Sequence, residues 1–160
     1  MVIKKDLMVI SCLRQNARET LTRMSRKIRM PISTIYDRLR YQERDLIIRH
    51  TTLLDFAKMG FNARVSIAIR VNRESRSQIC QFLASHPNVN SLFKINNGYD
   101  YLIEAVFRHL KELQEFMEQI EAKFPITEKQ LFYIVDDVKR EDFLCNPENI
   151  DECIKSIING

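Results

Sequence analysis

Residues 18–40 read RETLTRMSRKIRMPISTIYDRLR, and their spacing predicts two short helices joined by a tight turn. Leu21, Met24 and Ile28 fall on one stripe of the first helix; Ile32, Ile35 and Leu39 fall on one stripe of the second. Steps of three and four place each set on a single face, so the helices can bury against each other. Thr20 suits an N-cap, because its hydroxyl can accept from a free backbone N–H. Pro31 suits a first helical turn, where its missing N–H would be unpaired anyway. The opposite face carries Arg18, Arg23, Arg26, Lys27, Arg29, Arg38 and Arg40, with Ser33, Thr34 and Tyr36 between them. A basic, hydrogen-bonding helix pair of this size fits a DNA major groove.

Working outward, residues 3–15 predict a preceding helix, with Val9, Ile10 and Leu13 as its packing stripe. Leu46–Thr52 follows the pair as an extended run. Three helices and such a run make a winged helix-turn-helix over residues 1–52. Residues 53–61 are then a linker. From residue 62 the period changes from about 3.6 to 2. Val65, Ile67, Ile69 and Val71 alternate with Arg64, Ser66, Ala68 and Arg70, a strand with one buried face. Ser75–Ser85 reads as a helix and Val89–Ile95 as a strand. Asn96-Asn97-Gly98 marks a hairpin, and Tyr101–Phe107 a third strand. Leu110–Phe124 is a helix stopped by Pro125, and Leu131–Val135 a fourth strand. The order β-α-β-β-α-β over residues 62–140 is the ferredoxin-like arrangement, an antiparallel sheet with two helices on one face. The other face is left for a partner, most simply a second copy of the same sheet. Residues 141–160 read as an extension with a short helix, Pro147–Ile158. The fold class is α+β.

Charge separates the two parts. Residues 1–50 hold 12 Lys+Arg against 5 Asp+Glu, and residues 51–160 hold 13 against 16. The whole positive excess thus sits in the helical third, where a polyanion would be drawn and salt would weaken its binding. No apolar run approaches the roughly 18 residues of a membrane helix, and the N-terminus lacks the pattern of a signal peptide. A soluble, cytoplasmic chain is expected. Cys12, Cys80, Cys145 and Cys153 form no CxxC pair and have no histidine at metal-ligand spacing. His50, His86 and His109 sit in no nucleophile or metal motif. Asp136 and Asp137 are adjacent on a strand and point apart, which suits paired acid–base work badly. There is no P-loop, and three glycines in the chain leave little for a phosphate cradle. No catalytic, metal or cofactor site is expected.

These residues resemble the Lrp/AsnC family of bacterial and archaeal regulators over about residues 3–137. Asp6-x-x-Val9-Ile10-x-x-Leu13 is similar to the family's first helix, and Asn16-Ala17-Arg18-x-Thr20 to its turn. Arg38 falls on the arginine of the recognition helix. Leu54-Asp55-x-x-x-Met59-Gly60 resembles the linker, His86-Pro87-Asn88-Val89 the approach to the second strand, and Asn97-Gly98-Tyr99-Asp100-Tyr101 the effector loop. The resemblance implies a transcription regulator that binds double-stranded DNA. It implies pairing through the C-terminal (RAM) domain, with tetramers and octamers as higher assemblies, and an amino-acid effector at Asn97, Gly98, Tyr99 and Asp100. Paired copies would present two recognition helices about 34 Å apart or a multiple of it. The expected phosphate contacts are Arg18, Arg23, Arg29, Arg38 and Arg40; Ser33, Thr34 and Tyr36 are the candidates for base edges. Asp100 is expected to hold a ligand's ammonium or to fix the loop at a subunit contact, against the simpler reading of a plain hairpin. The chain departs from the family at Met24-Ser25, at Arg29 in place of the turn glycine, at Pro31 in place of a capping serine, and at Asn97. The competing reading is a small-molecule-sensing oligomeric scaffold without specific DNA recognition.

Overall fold

The first helix, α1 (Lys4–Gln15), is amphipathic on two sides rather than one. In the computed structural model, which describes residues 4–147, 150 and 151, it is followed by α2 (Leu21–Ile28) and α3 (Ile32–Asp45). α2 begins where expected: the Thr20 hydroxyl accepts from the Arg23 N–H at 3.3 Å. It ends on Arg29, which takes the left-handed conformation (φ 52°, ψ 49°) while its N–H returns to the Ser25 carbonyl. Pro31 stands at the N-cap of α3, just before the first helical turn. Val9, Cys12, Met24, Ile28, Met30 and Ile35 make the core of this unit, with Leu13, Leu21 and Leu39 against it. Ile32 is not part of that core. It lies one turn before Ile35, at the overhanging start of α3, and is 46% exposed. The extended run after α3 pairs with no strand among the described residues, and Ile48 in it is 97% exposed.

The chain divides into two units. The first runs to Leu53 and takes in the stretch from Val138 onward; the second is Leu54–Asp137. The helix expected at Pro147–Ile158 lies, apart from Pro147, Ile150 and Asp151, outside the described residues.

The second unit holds β1 (Ala63–Val71), a 3-10 turn (Arg73–Ser75), α4 (Arg76–Ser85), β2 (Val89–Lys94), β3 (Tyr101–Phe107), α5 (Leu110–Lys123) and β4 (Ile126–Tyr133). The strand order is β2-β3-β1-β4, every neighbouring pair antiparallel. Val65, Ile67, Ile69 and Val71 are buried with Ile103, Ala105 and Phe107 of β3, under Ile79 and Leu83 of α4 and Leu113, Phe116, Met117 and Ile120 of α5. α5 starts on a tight cap. The His109 ring nitrogen accepts from Glu112 N–H at 3.4 Å, and the Glu112 carboxylate accepts from Arg108 N–H at 2.9 Å.

β4 corrects the expected Leu131–Val135. It begins directly after Pro125, Ile126 pairing with Val71, and ends at Tyr133. As an edge strand it is exposed along most of its length, so Thr127-Glu128-Lys129-Gln130 shows no apolar alternation to read. Pairing with β1 fixes it instead.

Candidate nucleic-acid interface and ligand loop

α3 buries Ile35 and Gln42, with Leu39 half-buried. The opposite side therefore points outward: Ser33, Tyr36 and Arg40 are exposed at steps of three and four. The Arg40 guanidinium lies over the Tyr36 ring, 5.8 Å from its centroid, so a flat aromatic and a cation form one platform. Thr34 is half-buried at its margin. The stripe continues to exposed Arg44, four residues beyond Arg40. Its spacing of four from Arg40 is the sequence signal that points to Arg44. Exposed Ile32 adds an apolar group at the leading end of α3, suited to a thymine methyl.

The remaining cations differ in freedom. Arg18 is exposed, its N–H held by Asn16 Oδ1 at 3.0 Å. The Arg23 side chain is 75% exposed and only loosely paired, 4.0 Å from Glu19. Arg29 is exposed on the left-handed residue between α2 and α3.

Arg38 is placed differently from the outward cation that its position suggested. Its Nη1 donates to Asp6 Oδ1 at 2.7 Å, with the side chains 25% and 8% exposed. It ties α3 to α1 at the edge of the buried stripe, because residue 38 lies about 60° round the helix from Ile35 and is half-buried.

In the second unit Asn97 (φ 62°) and Gly98 (φ 92°) both lie at positive φ, the backbone of a type I′ hairpin turn. The loop is tied down on three sides. The Arg70 Nε donates to the Gly98 carbonyl. Arg70 also pairs with Glu128 at 3.1 Å, and the Tyr99 hydroxyl donates to the same carboxylate at 2.9 Å. Partial desolvation, then this bond to Glu128, raises the Tyr99 phenol above its ordinary pKa. Asp100 accepts from Val71 N–H at 2.9 Å and pairs with Arg76 at 2.7 Å, leaving its side chain 14% exposed. Its carboxylate is thus engaged inside the unit. Beside it lies an open cleft of about 500 Å³ lined by Arg76, Ser77, Gln81, Lys94 and Tyr101. The buried Tyr101 hydroxyl donates to the Arg76 carbonyl at 3.0 Å, which fixes the arginine's backbone at the cleft wall.

The sheet face away from α4 and α5 carries Phe93 and Phe132, 48% and 54% exposed, on opposite edge strands. Phe93 pairs with Leu102, and Phe132 with Ser66, across the ladder. Among the described residues no group of His, Cys, Asp and Glu side chains could hold a metal ion, and no helix is long and apolar enough to cross a membrane.

A three-helix unit with an outward basic stripe, joined to a β-α-β-β-α-β sheet, defines a DNA-reading module attached to a ligand-binding one. Residues 64–142 match the Lrp/AsnC ligand binding domain. It is similar to the glutamate uptake regulatory protein of Zymomonas mobilis, 22% identical over 156 residues covering 95% of each chain. It is 23% identical to the HTH-type transcriptional regulator FL11 of Pyrococcus horikoshii, over 72% of this chain and 77% of that one. Solved structures share the fold. A Neisseria meningitidis transcriptional regulator in complex with L-Met superposes with a TM-score of 0.80 at 18% identity, over 88% of this chain and 94% of that one. Escherichia coli AsnC superposes with a TM-score of 0.77 at 15% identity, over 88% and 96%.

Proposed function

We propose that the chain is a sequence-specific, DNA-binding transcription regulator that works in the cytoplasm as a homodimer or a higher assembly of dimers. The observation that carries this is the outward stripe Ser33–Tyr36–Arg40 of α3, set on a closed helix-turn-helix core in the most basic third of the chain. Ser33, Thr34 and Tyr36 meet base edges, with Ile32 beside them. Arg18, Arg23, Arg29, Arg40 and Arg44 meet phosphates and set register. Arg38 acts from behind, through Asp6, by holding the angle of α3.

Pairing uses the open sheet face, where Phe93 and Phe132 are solvent-facing in the single chain. An amino acid is the effector class favoured by the L-Met complex of the N. meningitidis protein. Asn97, Gly98 and Tyr99 form the loop that meets it, while Asp100, already neutralised by Arg76, shapes the loop. A gel shift on the DNA upstream of the chain's own gene, at two salt concentrations, tests the reading. The expected result is a sequence-selective complex that weakens at the higher salt. A shift indifferent to sequence would favour the scaffold that senses a small molecule without reading DNA.

A further inference from the structure

α1 is buried on opposite sides. At about 100° per residue, Val9 and Cys12 face one way, into the helix-turn-helix core. Lys4, Leu7, Ile10 and Arg14 face the other way, yet Leu7 is 3% and Ile10 8% exposed. A three-helix unit closing on one side of α1 would leave the second stripe in water.

The polar residues at its two ends bond to the C-terminal stretch of the chain. Lys4 pairs with Asp151 at 2.5 Å. Arg14 donates from Nη2 to the Glu141 carbonyl at 2.8 Å and to the Glu141 carboxylate at 3.2 Å, and from Nε to the Phe143 carbonyl at 2.5 Å. The Cys145 thiol donates back to the Arg14 carbonyl at 3.4 Å. Ile150 is 1% exposed. Glu141 (φ 52°) and Leu144 (φ 61°) both take the left-handed conformation that bulky residues avoid. Such strain persists only where surrounding contacts impose it.

We infer that Arg14 clamps the returning C-terminal tail onto α1, and that this second covalent tether makes Arg14 a positioning residue for DNA recognition. The inference rests on the DNA-binding reading. At the sheet end, Arg64 grips Asp137 with two bonds of 2.6 and 3.0 Å. Only residues 138–140 separate that grip from the Arg14 clamp, a tether of at most about 14 Å between Cα atoms. The other tether is the unpaired run that ends the first unit at Leu53. A domain on one flexible tether swivels freely. Held by two, it is confined to a hinge through both anchors, and the half-site separation that a paired protein accepts becomes narrower.

Full-length Arg14→Ala tests this in two arms. Without DNA, maleimide labelling is followed residue by residue. Burial pushes the Cys12 thiol above its ordinary pKa and keeps it slow, so it serves as the internal reference. Cys145 is expected to label several-fold faster in Arg14→Ala than in the native chain; equal rates would overturn the clamp. Arg14→Lys keeps the charge and loses the fork, and replaces the alanine variant should that one not fold. With DNA, two half-sites are moved apart by about half a helical turn, 5 bp. The native protein is expected to lose at least about tenfold in affinity on the shifted site, and Arg14→Ala less than about threefold. An equal penalty in both proteins would overturn the positioning role. If the native chain binds neither DNA, the DNA reading fails while the labelling arm still decides the clamp.

Discussion

At residue scale the most informative position is Arg29, which the chain places in the left-handed conformation that glycine adopts most easily. The strain there costs about 1 kcal/mol or somewhat more. Arg29→Gly is therefore expected to raise stability by about 0.5–1 kcal/mol, since glycine's extra unfolded-state freedom offsets part of the gain. Thermal unfolding measures it. The same change removes a cation, so the slope of log affinity against log salt should fall by about 1; an unchanged slope would remove Arg29 from the DNA face. Arg38 and Asp6 make the opposite case. Removing either breaks a largely covered ion pair, and each alanine variant is expected to lose about 2 kcal/mol, discounted from the range for fully buried pairs. The double variant should lose little more than either single one. The salt slope of Arg38→Ala should stay near that of the native protein. The sequence alone could not reveal this, because an arginine at position 38 sits on the boundary between the buried stripe of α3 and its flank. Its employment is decided by Asp6, 32 residues away in sequence.

At the scale of elements, what could be read in the sequence follows from how many faces each element buries. β1, β3 and α5 each bury one face against the common core, so Val65–Val71, Tyr101–Phe107 and Leu110–Lys123 announced themselves by period. β4 buries almost nothing, so its first five residues, 126–130, carry no periodic signal. The second buried stripe of α1 is not legible for a different reason: the stretch from Val138 that joins its unit is distant in sequence, and periodicity cannot name a distant partner. The Asn97-Gly98 turn was legible because only a few residues tolerate two successive positive φ values. Gly98→Ala puts a Cβ at φ +92°, with the Arg70 Nη2 only 2.6 Å from it. The arginine end can move aside, so the cost is mainly the backbone's, about 1 kcal/mol. Arg70 would lose its grip on the Gly98 carbonyl. A thermal-shift screen of the amino acids should show smaller stabilisation for this variant than for the native chain. Equal stabilisation would separate the turn from the effector site.

At the scale of the whole molecule, assembly depends on a sheet face that the single chain leaves to solvent. Phe132→Asp places a charge where a second copy would have to desolvate it, and light scattering is expected to report a smaller assembly with an unchanged fold by circular dichroism. A complex of native mass would move the pairing surface elsewhere. The route of the backbone, out of the helical unit, through the sheet and back, also has a consequence in time. The second stripe of α1 stays open until the residues beyond Val138 have been synthesised. At about 5–20 residues per second, that leaves several seconds in which the nascent DNA-reading unit is incomplete. A ribosome-held chain ending at Asp137 should accordingly yield to protease around α1 faster than the released protein does. The stretch that completes the helical unit is made only after the whole of the sheet.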